Sequence, residues 1–261
     1  MKTALLISTY NWSSALDLIF EALKRQTRLP DEILIADDGS QDDTRQLIYK
    51  FKEEITVPVK HFWHEDRGFR KASILNQALA KSDADYIIQI DGDCIPERHF
   101  IEDHLSRVES GVYLYGSRVN IREEYVPEVL KKQKMRFQVF SKGILRRTRA
   151  LRIPFLAFFY RPKEGVSSKV RGCNLSFWRK DFIAINGYNE DFEGWGREDS
   201  EMVVRLNNNH VKGKRLRYCG IVFHLGHKIE SRGSLEKNDR IEQTSKAEQI
   251  VRIQNGIDKY L

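Results

Sequence analysis

Short apolar runs alternate with helix-like patterns over the first hundred residues. Each apolar run is long enough for one buried strand, and the runs lie at residues 4–7, 32–36, 57–62 and 86–90. The segments between them repeat apolar residues every three or four positions and predict helices at 14–26, 43–51 and 72–80. Strands and helices that alternate in this way predict a mostly parallel central sheet with helices on both faces. Ligands of such α/β sheets bind beyond the carboxyl ends of the strands.

The pattern becomes less regular in the rest of the chain. Strands are predicted at residues 112–115, 173–178 and 215–223, and helices at 198–206 and in the polar stretch 235–261. From Pro127 onward, apolar residues at helical spacing predict an amphipathic helix that carries Leu130, Phe137, Phe140 and Ile144. We therefore predict one domain over residues 1–228, with a basic, partly mobile segment at 129–170, and a helical extension at 229–261.

The positive charge of the chain is concentrated in one segment. The 261 residues carry a formal net charge of +7, yet residues 129–163 hold 11 of the 44 Lys and Arg residues and no Asp or Glu, which leaves 33 basic against 37 acidic residues elsewhere. Three interpretations fit this basic segment: a lid over a site, an amphipathic helix for an anionic membrane surface, or a binding surface for a polyanionic glycan. We favour peripheral membrane contact. A nucleic-acid partner is not expected, because no recognition motif accompanies the charge.

Composition narrows the class of protein. With 41% hydrophobic and 11% aromatic residues, the chain is too apolar to be disordered throughout. Its cysteines form no CxxC pair, so neither a disulfide framework nor a structural zinc site is indicated. The longest aromatic-aliphatic run, at residues 155–160, is far shorter than the roughly 20 residues needed to span a bilayer. These features predict a cytoplasmic protein that at most touches the inner face of the plasma membrane.

Two carboxylates follow the predicted strand at residues 86–90 directly. Asp91 and Asp93 flank Gly92, which lets the backbone bend and lets a ligand approach closely. Carboxylate oxygens at a strand end suit Mg²⁺ or Mn²⁺, with open positions for phosphate oxygens. The competing interpretation is a capping turn without a ligand.

A second group of carboxylates opens the helix predicted at residues 198–206. Trp195 lies between two glycines, and Glu198 and Asp199 follow it. Acidic residues at a helix N-terminus are stabilised by the helix dipole, so simple capping accounts for them. An indole beside two carboxylates also suits a floor on which a sugar stacks, with a general base next to it.

Histidines and cations form two further groups. His224 and His227 follow the late apolar run and either supply nitrogen ligands to a metal or are an ordinary surface pair. Arg67, Arg70 and Lys71 surround a glycine before the helix at residues 72–80, where they form either a phosphate cradle or a solvated loop.

Together these motifs resemble family 2 glycosyltransferases of the GT-A fold. Motifs of the first half stand in that family's order and spacing: Ile7-Ser8-Thr9-Tyr10-Asn11, Asp37-Asp38-Gly39-Ser40, Gly68-Phe69-Arg70-Lys71-Ala72 and Asp91-Gly92-Asp93. The second half is similar to the C-terminal galactosyltransferase-type region of chondroitin polymerases and β-1,4-galactosyltransferases. That likeness rests on Arg171-Gly172-Cys173-Asn174-Leu175-Ser176-Phe177 and Gly194-Trp195-Gly196-Arg197-Glu198-Asp199.

The resemblance implies a donor site at the strand ends. Residues that would bind the nucleotide part of the donor are Thr9, Tyr10, Asn11, Asp37, Asp38, Asp91 and Gly92, with Arg67, Arg70 and Lys71 near the diphosphate. Asp93 and His227 match the family's metal ligands, and Asp91 contributes beside Asp93. His224 falls where galactosyltransferases have a sulfur ligand, so which of the two histidines binds the metal stays open.

The resemblance also implies an acceptor site with a base. Asp199 matches the catalytic base, while Glu198 and Trp195 would contact the acceptor. Arg197 departs from the pattern, because many relatives have a second glycine there. The implied activity is metal-dependent, inverting transfer from a UDP-sugar to a glycan or lipid-diphosphate-linked glycan in surface polysaccharide synthesis. Two alternatives are a non-catalytic sugar-nucleotide or glycan-binding module on the same fold, and a polyanion or membrane adaptor that uses the basic segment.

Overall fold

The computed structural model describes residues 1–227 and 233–261. The domain boundary predicted at residues 228 and 229 lies outside these residues. The strands of the described chain are β1 (Thr3–Thr9), β2 (Glu32–Asp37), β3 (Val59–Trp63), β4 (Tyr86–Asp91), β5 (Cys94–Pro96), β6 (Val112–Tyr115), β7 (Ser117–Ile121), β8 (Asn174–Trp178), β9 (Lys212–Arg215) and β10 (Ile221–Leu225). The helices are α1 (Ser13–Leu23), α2 (Asp42–Glu54), α3 (Lys71–Ala80), α4 (Phe100–Leu105), α5 (Val126–Lys131), α6 (Arg179–Ala184), α7 (Glu198–Asn208) and α8 (Leu235–Ala247).

The strands form two sheets. Within the described residues, the larger sheet has seven strands in the order β3-β2-β1-β4-β8-β6-β9, and the smaller has three in the order β5-β10-β7. Strands β1 to β4 pair in parallel, β8 runs antiparallel to β4 and β6, and β9 is parallel to β6. The prediction of an α/β fold with a mostly parallel central sheet is confirmed.

The continuous apolar strands are buried on both faces. All seven residues of β1 are buried, and its alternate side chains enter different cores. Leu5 and Ile7 pack with α1 and α2, whereas Ala4 and Leu6 pack with α3 and α6. A strand covered on both faces needs apolar residues at every position, which is why such a run predicts a parallel sheet.

The prediction of a long amphipathic helix from Pro127 onward is wrong. Helix α5 ends at Lys131, and the backbone then turns through left-handed conformations at Gln133 and Gly143. Phe137 and Ile144 are buried in the same core as α1, so their helical spacing reflects burial along an irregular segment. The apolar face expected to meet a membrane is therefore not present as a helix.

The strand predicted at residues 215–223 is two strands in two different sheets. Strand β9 ends at Arg215 in the large sheet and β10 starts at Ile221 in the small one. Left-handed backbone at Tyr218 and Gly220 makes the turn between them. In the C-terminal stretch, α8 ends at Ala247 and a 3-10 turn follows at Ile257–Tyr260. Within the described residues, no helix is both long and apolar enough to cross a bilayer.

Candidate active site

The carboxyl ends of three parallel strands bring the predicted donor residues together. Thr9 at the end of β1 lies opposite Asp37 on β2, and Ser8 lies opposite Asp91 on β4. Residues that follow these strand ends therefore meet at one edge of the sheet, where the sequence predicts the ligand.

Two histidines that the sequence analysis missed hold the aspartate pair after β2. His61 Nε2 lies 3.0 Å from Asp37 Oδ2, and His64 Nε2 lies 2.7 Å from Asp38 Oδ1. The backbone N–H of Arg70 also donates to Asp38 Oδ2 at 3.0 Å. The sequence does contain a signal for this contact. Both histidines lie on or just after β3, which is the strand that pairs in parallel with β2. Each aspartate is therefore fixed in place before any nucleotide binds.

The loop after β1 presents an exposed aromatic ring beside this pair. The Tyr10 side chain is about half exposed, and its hydroxyl donates to Asp66 Oδ2 at 2.9 Å. Asn11 adopts a left-handed conformation, with its N–H donating to Ser40 Oγ at 2.9 Å. The ring of Tyr10 thus faces solvent at the sheet edge, in a position suited to stacking against a base.

Gly92 lies where the end of β4 passes close to β1. Its N–H donates to the Ser8 carbonyl at 2.7 Å, and a Cβ at this position would lie 3.1 Å from Thr9 Oγ1. The neighbouring Asp91 Oδ1 accepts from Ser8 Oγ at 2.7 Å and from Lys71 Nζ at 2.9 Å. Asp91 is thereby engaged by a cation and a hydroxyl, and it is not one of the clustered potential metal ligands.

Asp93 and both predicted histidines form a compact group of potential ligands. Asp93 Oδ2 lies 3.3 Å from His224 Nε2 and 3.2 Å from His227 Nε2, and one ligand atom from each residue lies within 4.8 Å of the others. His224 reaches the site because β10 pairs with β5, which places it opposite Cys94. Burial raises the pKa of Asp93, but hydrogen bonds with His224 and His227 outweigh burial and hold this pKa below its ordinary value. One carboxylate and two imidazoles are a donor set that fits a divalent transition-metal ion.

Lys71 lies among carboxylates. Its Nζ is 2.9 Å from Asp91 Oδ1, 4.0 Å from Glu198 Oε1 and 4.0 Å from Asp199 Oδ2. Burial lowers the pKa of Lys71, but the three carboxylates outweigh burial and hold this pKa well above its ordinary value. By contrast, the Arg67 side chain is 71% exposed and pairs with Glu65. The ammonium group of Lys71 therefore links the strand-end carboxylate to the acidic start of α7.

Asp199 is held in a fixed orientation at the N-terminus of α7. Its Oδ2 accepts the Gly172 N–H at 3.0 Å, and the Tyr188 hydroxyl donates to Oδ1 at 3.4 Å. Burial raises the pKa of Asp199, and the charge of Asp91 adds to that effect, whereas Lys71 opposes it. A Cβ at position 172 would lie 2.1 Å from the Asp199 carboxylate, so glycine at this position leaves room for the carboxylate in this orientation.

The loop before α7 presents Trp195 and turns Arg197 away. Trp195 is 39% exposed, as a stacking platform requires. Arg197 has left-handed backbone with φ of 77°, where glycine is favoured, and its guanidinium pairs with Asp239 and Glu242 on α8. Arg197, where the family pattern has a glycine, therefore connects this loop to α8.

We expect Glu198→Gln to change how stability depends on pH. Burial, followed by the charge of Asp199, raises the pKa of Glu198 from 4.5 to about 7. Between pH 4.5 and pH 7 the folded state therefore binds more protons than the unfolded state. The stability that protonated Glu198 contributes is fully present below pH 4.5 and is lost as the pH rises through 7. Urea denaturation without metal measures the free energy of unfolding. The value for the variant minus that for the wild type should rise by about 1–3 kcal/mol between pH 4.5 and pH 8. Parallel curves would contradict the shift.

Comparison with known proteins identifies two matching families. The family model described as glycosyl transferase family 2 matches residues 4–165, and the model described as N-terminal domain of galactosyltransferase matches residues 158–228. The resemblance predicted for the two halves of the sequence is therefore confirmed.

Curated relatives are longer than this chain. Validoxylamine A glucosyltransferase of Streptomyces hygroscopicus subsp. limoneus is 28% identical over 233 residues, which cover 80% of this chain and 48% of that protein. Chondroitin synthase of Pasteurella multocida is 25% identical over 232 residues, covering 78% of this chain and 22% of that protein. The chain thus spans about half, or less, of the length of these relatives.

Solved structures confirm the fold. S. aureus TarS 1–349 in complex with UDP has a TM-score of 0.64 at 14% identity, covering 96% of this chain and 70% of that chain. The mannosyltransferase PcManGT of Pyrobaculum calidifontis, in complex with GDP-Man and Mn²⁺, has a TM-score of 0.60 at 16% identity, covering 95% and 62%. The GT-A architecture predicted from the sequence is that of both neighbours.

Proposed function

The chain belongs to glycosyl transferase family 2, and from this membership we propose that it transfers a sugar from a nucleotide-sugar to an acceptor hydroxyl with inversion of configuration. The observation that carries the proposal is the arrangement around Lys71, whose ammonium group joins Asp91 at the donor strand end to Asp199 at the start of α7. A base and a donor site are thereby held side by side.

The donor that we propose is a UDP-sugar. Thr9, Tyr10 and Asn11 would receive the base, and the fixed pair of Asp37 and Asp38 would accept hydrogen bonds from the base and ribose. The neighbours are solved with UDP in one case and GDP-Man in the other, which supports a nucleoside diphosphate. UDP is preferred because the second half resembles galactosyltransferases.

The metal that we propose is Mn²⁺, held by Asp93, His224 and His227. Two imidazole nitrogens beside one carboxylate favour Mn²⁺ over Mg²⁺, which prefers oxygen ligands. When bound, such an ion neutralises the negative charge that develops on a departing nucleoside diphosphate. Both histidines are included, because their Nε2 atoms lie at similar distances from the same Asp93 oxygen.

Asp199 is the base in this proposal. It would accept the proton of the acceptor hydroxyl as that oxygen attacks the anomeric carbon, and a single in-line displacement inverts the configuration. Gly172 and Tyr188 orient the carboxylate, and Lys71 counters the burial that raises its pKa. Trp195 would support the acceptor sugar ring from its exposed position.

Release of UDP from a panel of nucleotide-sugars tests the proposal. We expect the purified chain with Mn²⁺ to release UDP from at least one UDP-sugar, and Asp93→Ala to lower that rate at least 100-fold, because the variant removes the carboxylate ligand. Asp83→Ala, which removes a surface carboxylate paired with Lys2, should leave the rate unchanged. Equal rates in the two variants would contradict the assignment of Asp93.

The alternative is a non-catalytic module on the same fold. It predicts a thermal shift with UDP and Mn²⁺ but no UDP release from any donor. A ligand at 100 times its dissociation constant adds about 2.7 kcal/mol of stability, which a melting experiment detects readily. The intact set of Asp93, His224, His227 and Asp199 favours the enzyme.

The acceptor that we propose is a glycan or lipid-linked glycan at the inner face of the plasma membrane. Within the basic segment, the 3-10 turn Pro154–Phe159 leaves Phe155, Phe158 and Phe159 65%, 65% and 72% exposed. The Arg107 guanidinium lies 3.8 Å from the centre of the Phe158 ring. Exposed phenyl rings beside cations suit the interface of an anionic bilayer.

Vesicle binding tests this membrane contact. We expect replacement of the three phenylalanines by serine to lower the fraction of protein that sediments with phosphatidylglycerol vesicles at least fivefold, since the rings would no longer enter the interface. Phe140→Ser removes one exposed ring that is not part of this turn, and it serves as the control. Equal sedimentation of the triple variant and wild type would refute the contact.

A further inference from the structure

Four arginines from three segments of the chain converge beside the small sheet. We call Arg118, Arg149, Arg215 and Arg217 the arginine cluster. Arg118 lies on β7, and Arg149 belongs to the 3-10 turn Arg147–Ala150, which packs against β7. The Arg149 guanidinium donates to the Arg118 carbonyl at 3.1 Å, which fixes the two segments against each other.

Backbone hydrogen bonds bring the other two arginines to the same place. Strand β9 ends at Arg215, which lies opposite Tyr115, and the chain then runs past the start of β7. The Leu216 N–H donates to the Tyr115 carbonyl at 2.8 Å, and the Ser117 N–H donates to the Gly220 carbonyl at 3.1 Å. The connection that carries Arg217 is therefore held alongside the strand that carries Arg118.

The arginine cluster contains buried donors without acceptors. Arg215 Nε and Arg217 Nη1 are both inaccessible to solvent and have no hydrogen-bond partner in the structure. Among the residues that the structure describes, no carboxylate lies within ion-pair distance of Arg149, Arg215 or Arg217. A buried guanidinium N–H that lacks an acceptor carries a free-energy cost that an oxyanion would remove.

Repulsion among the arginines also favours a bound anion. Burial lowers the pKa of Arg149, and the charges of Arg146, Arg215, Arg118 and Arg217 lower it further. Like charges that are gathered without a counterion favour an anion between them, and guanidinium groups bind phosphate and carboxylate through paired hydrogen bonds. An anionic ligand beside Arg149 would relieve this repulsion.

The arginine cluster extends toward the proposed base. Arg171 is the neighbour of Gly172, whose N–H holds the Asp199 carboxylate. Burial and the charge of Arg118 lower the pKa of Arg171, while Asp199 raises it. Arg171 therefore lies within electrostatic range of both Arg118 and Asp199.

We infer that the arginine cluster binds an oxyanion of the acceptor, a phosphate or a carboxylate group, while the acceptor hydroxyl meets Asp199. This inference rests on the proposed function. The acceptor would then be an acidic glycan or a phosphate-containing polymer rather than a neutral sugar. The other source of an oxyanion is the donor diphosphate, since Arg118 lies within electrostatic range of Asp91 at the donor strand end, and UDP affinity in the experiment below distinguishes the two sources.

Calorimetric binding of sucrose octasulfate tests the inference. The probe is a compact polyanion, and we titrate it into the chain saturated with UDP and Mn²⁺. We expect Arg149→Gln/Arg217→Gln to weaken its binding at least tenfold and to change UDP affinity less than twofold. The matched control, Arg25→Gln/Arg28→Gln, removes the same charge from exposed positions between α1 and β2 and should stay within twofold of the wild type.

Two outcomes would overturn the inference. Equal weakening by both double variants would mean that the probe senses net charge alone. A tenfold loss of UDP affinity in Arg149→Gln/Arg217→Gln would assign the cluster to the donor diphosphate. The single variants Arg149→Gln and Arg217→Gln give the same comparison if the double variant is unstable. Because binding is measured without turnover, a chain that releases no UDP would refute the proposed function and leave this result intact.

Discussion

Replacement of Asp199 by Asn is expected to lower the rate of sugar transfer by about 10²- to 10⁴-fold, the contribution that a positioned general base makes. The amide keeps the size of the side chain and its contact with the Gly172 N–H through one oxygen, but it does not accept a proton. UDP affinity should stay within about threefold, because the role proposed for Asp199 is to accept the proton of the acceptor hydroxyl and not to bind the nucleotide. Steady-state transfer assays and calorimetry with UDP measure the two effects separately.

The neighbouring carboxyl group provides the decisive comparison. Glu198 Oε2 accepts the Gly196 N–H at 3.1 Å, and its pKa of about 7 keeps a large part of it protonated at neutral pH. If Glu198 were the base, Glu198→Gln would cause the larger loss and Asp199→Asn would retain transfer. Asp191→Asn, which removes an exposed carboxylate that accepts from Asn255, is the control and should transfer normally.

Replacement of Glu201 by Gln is expected to lower the free energy of unfolding by about 3–5 kcal/mol, as when one partner of a buried ion pair is removed. Glu201 and Arg205 are fully buried on α7, and their two hydrogen bonds measure 2.7 and 2.8 Å. Glu201 also accepts from Ser245 on α8 at 2.8 Å, while Arg205 donates to the Ile185 carbonyl at 2.7 Å. The variant leaves a buried guanidinium with a neutral neighbour.

Urea denaturation measures this loss, and Glu236→Gln is the matched control. Glu236 and Arg240 form a pair at the same spacing on α8, but both side chains are at least three-quarters exposed. Surface pairs of this kind contribute little, so the control should unfold at the wild-type urea concentration. Unfolding of Glu201→Gln at the wild-type concentration would show that the pair contributes nothing to stability.

The parallel half of the sheet could be predicted because its strands contain short runs of consecutive apolar residues that alternate with helical patterns. The β6 strand was predicted to the residue, and β1, β2 and β4 within one or two residues of their ends. Strand ends in a parallel sheet lie at a common edge, so carboxylates that follow them in sequence also meet in space. The positions of Asp37, Asp91 and Asp93 at this edge follow from that geometry.

The features that the sequence did not predict depend on contacts between segments that are distant in the chain. Helical spacing of Phe137 and Ile144 indicated a helix, whereas a left-handed turn at Gly143 lets both reach the core without one. Proximity in sequence grouped Lys71 with Arg67 and Arg70, either as a phosphate cradle or as a solvated loop. The carboxylates that surround Lys71 come from α7, more than a hundred residues later, and only packing brings them together.

The three residues of the proposed metal site, Asp93, His224 and His227, come from both halves of the chain. Asp93 belongs to the segment that matches glycosyl transferase family 2, whereas both histidines belong to the segment that matches the galactosyltransferase domain. The pairing of β10 with β5 joins them. Neither segment alone holds all three residues of the proposed metal site, so a chimera with one half from a relative would bind the metal only if the incoming half supplied matching ligands.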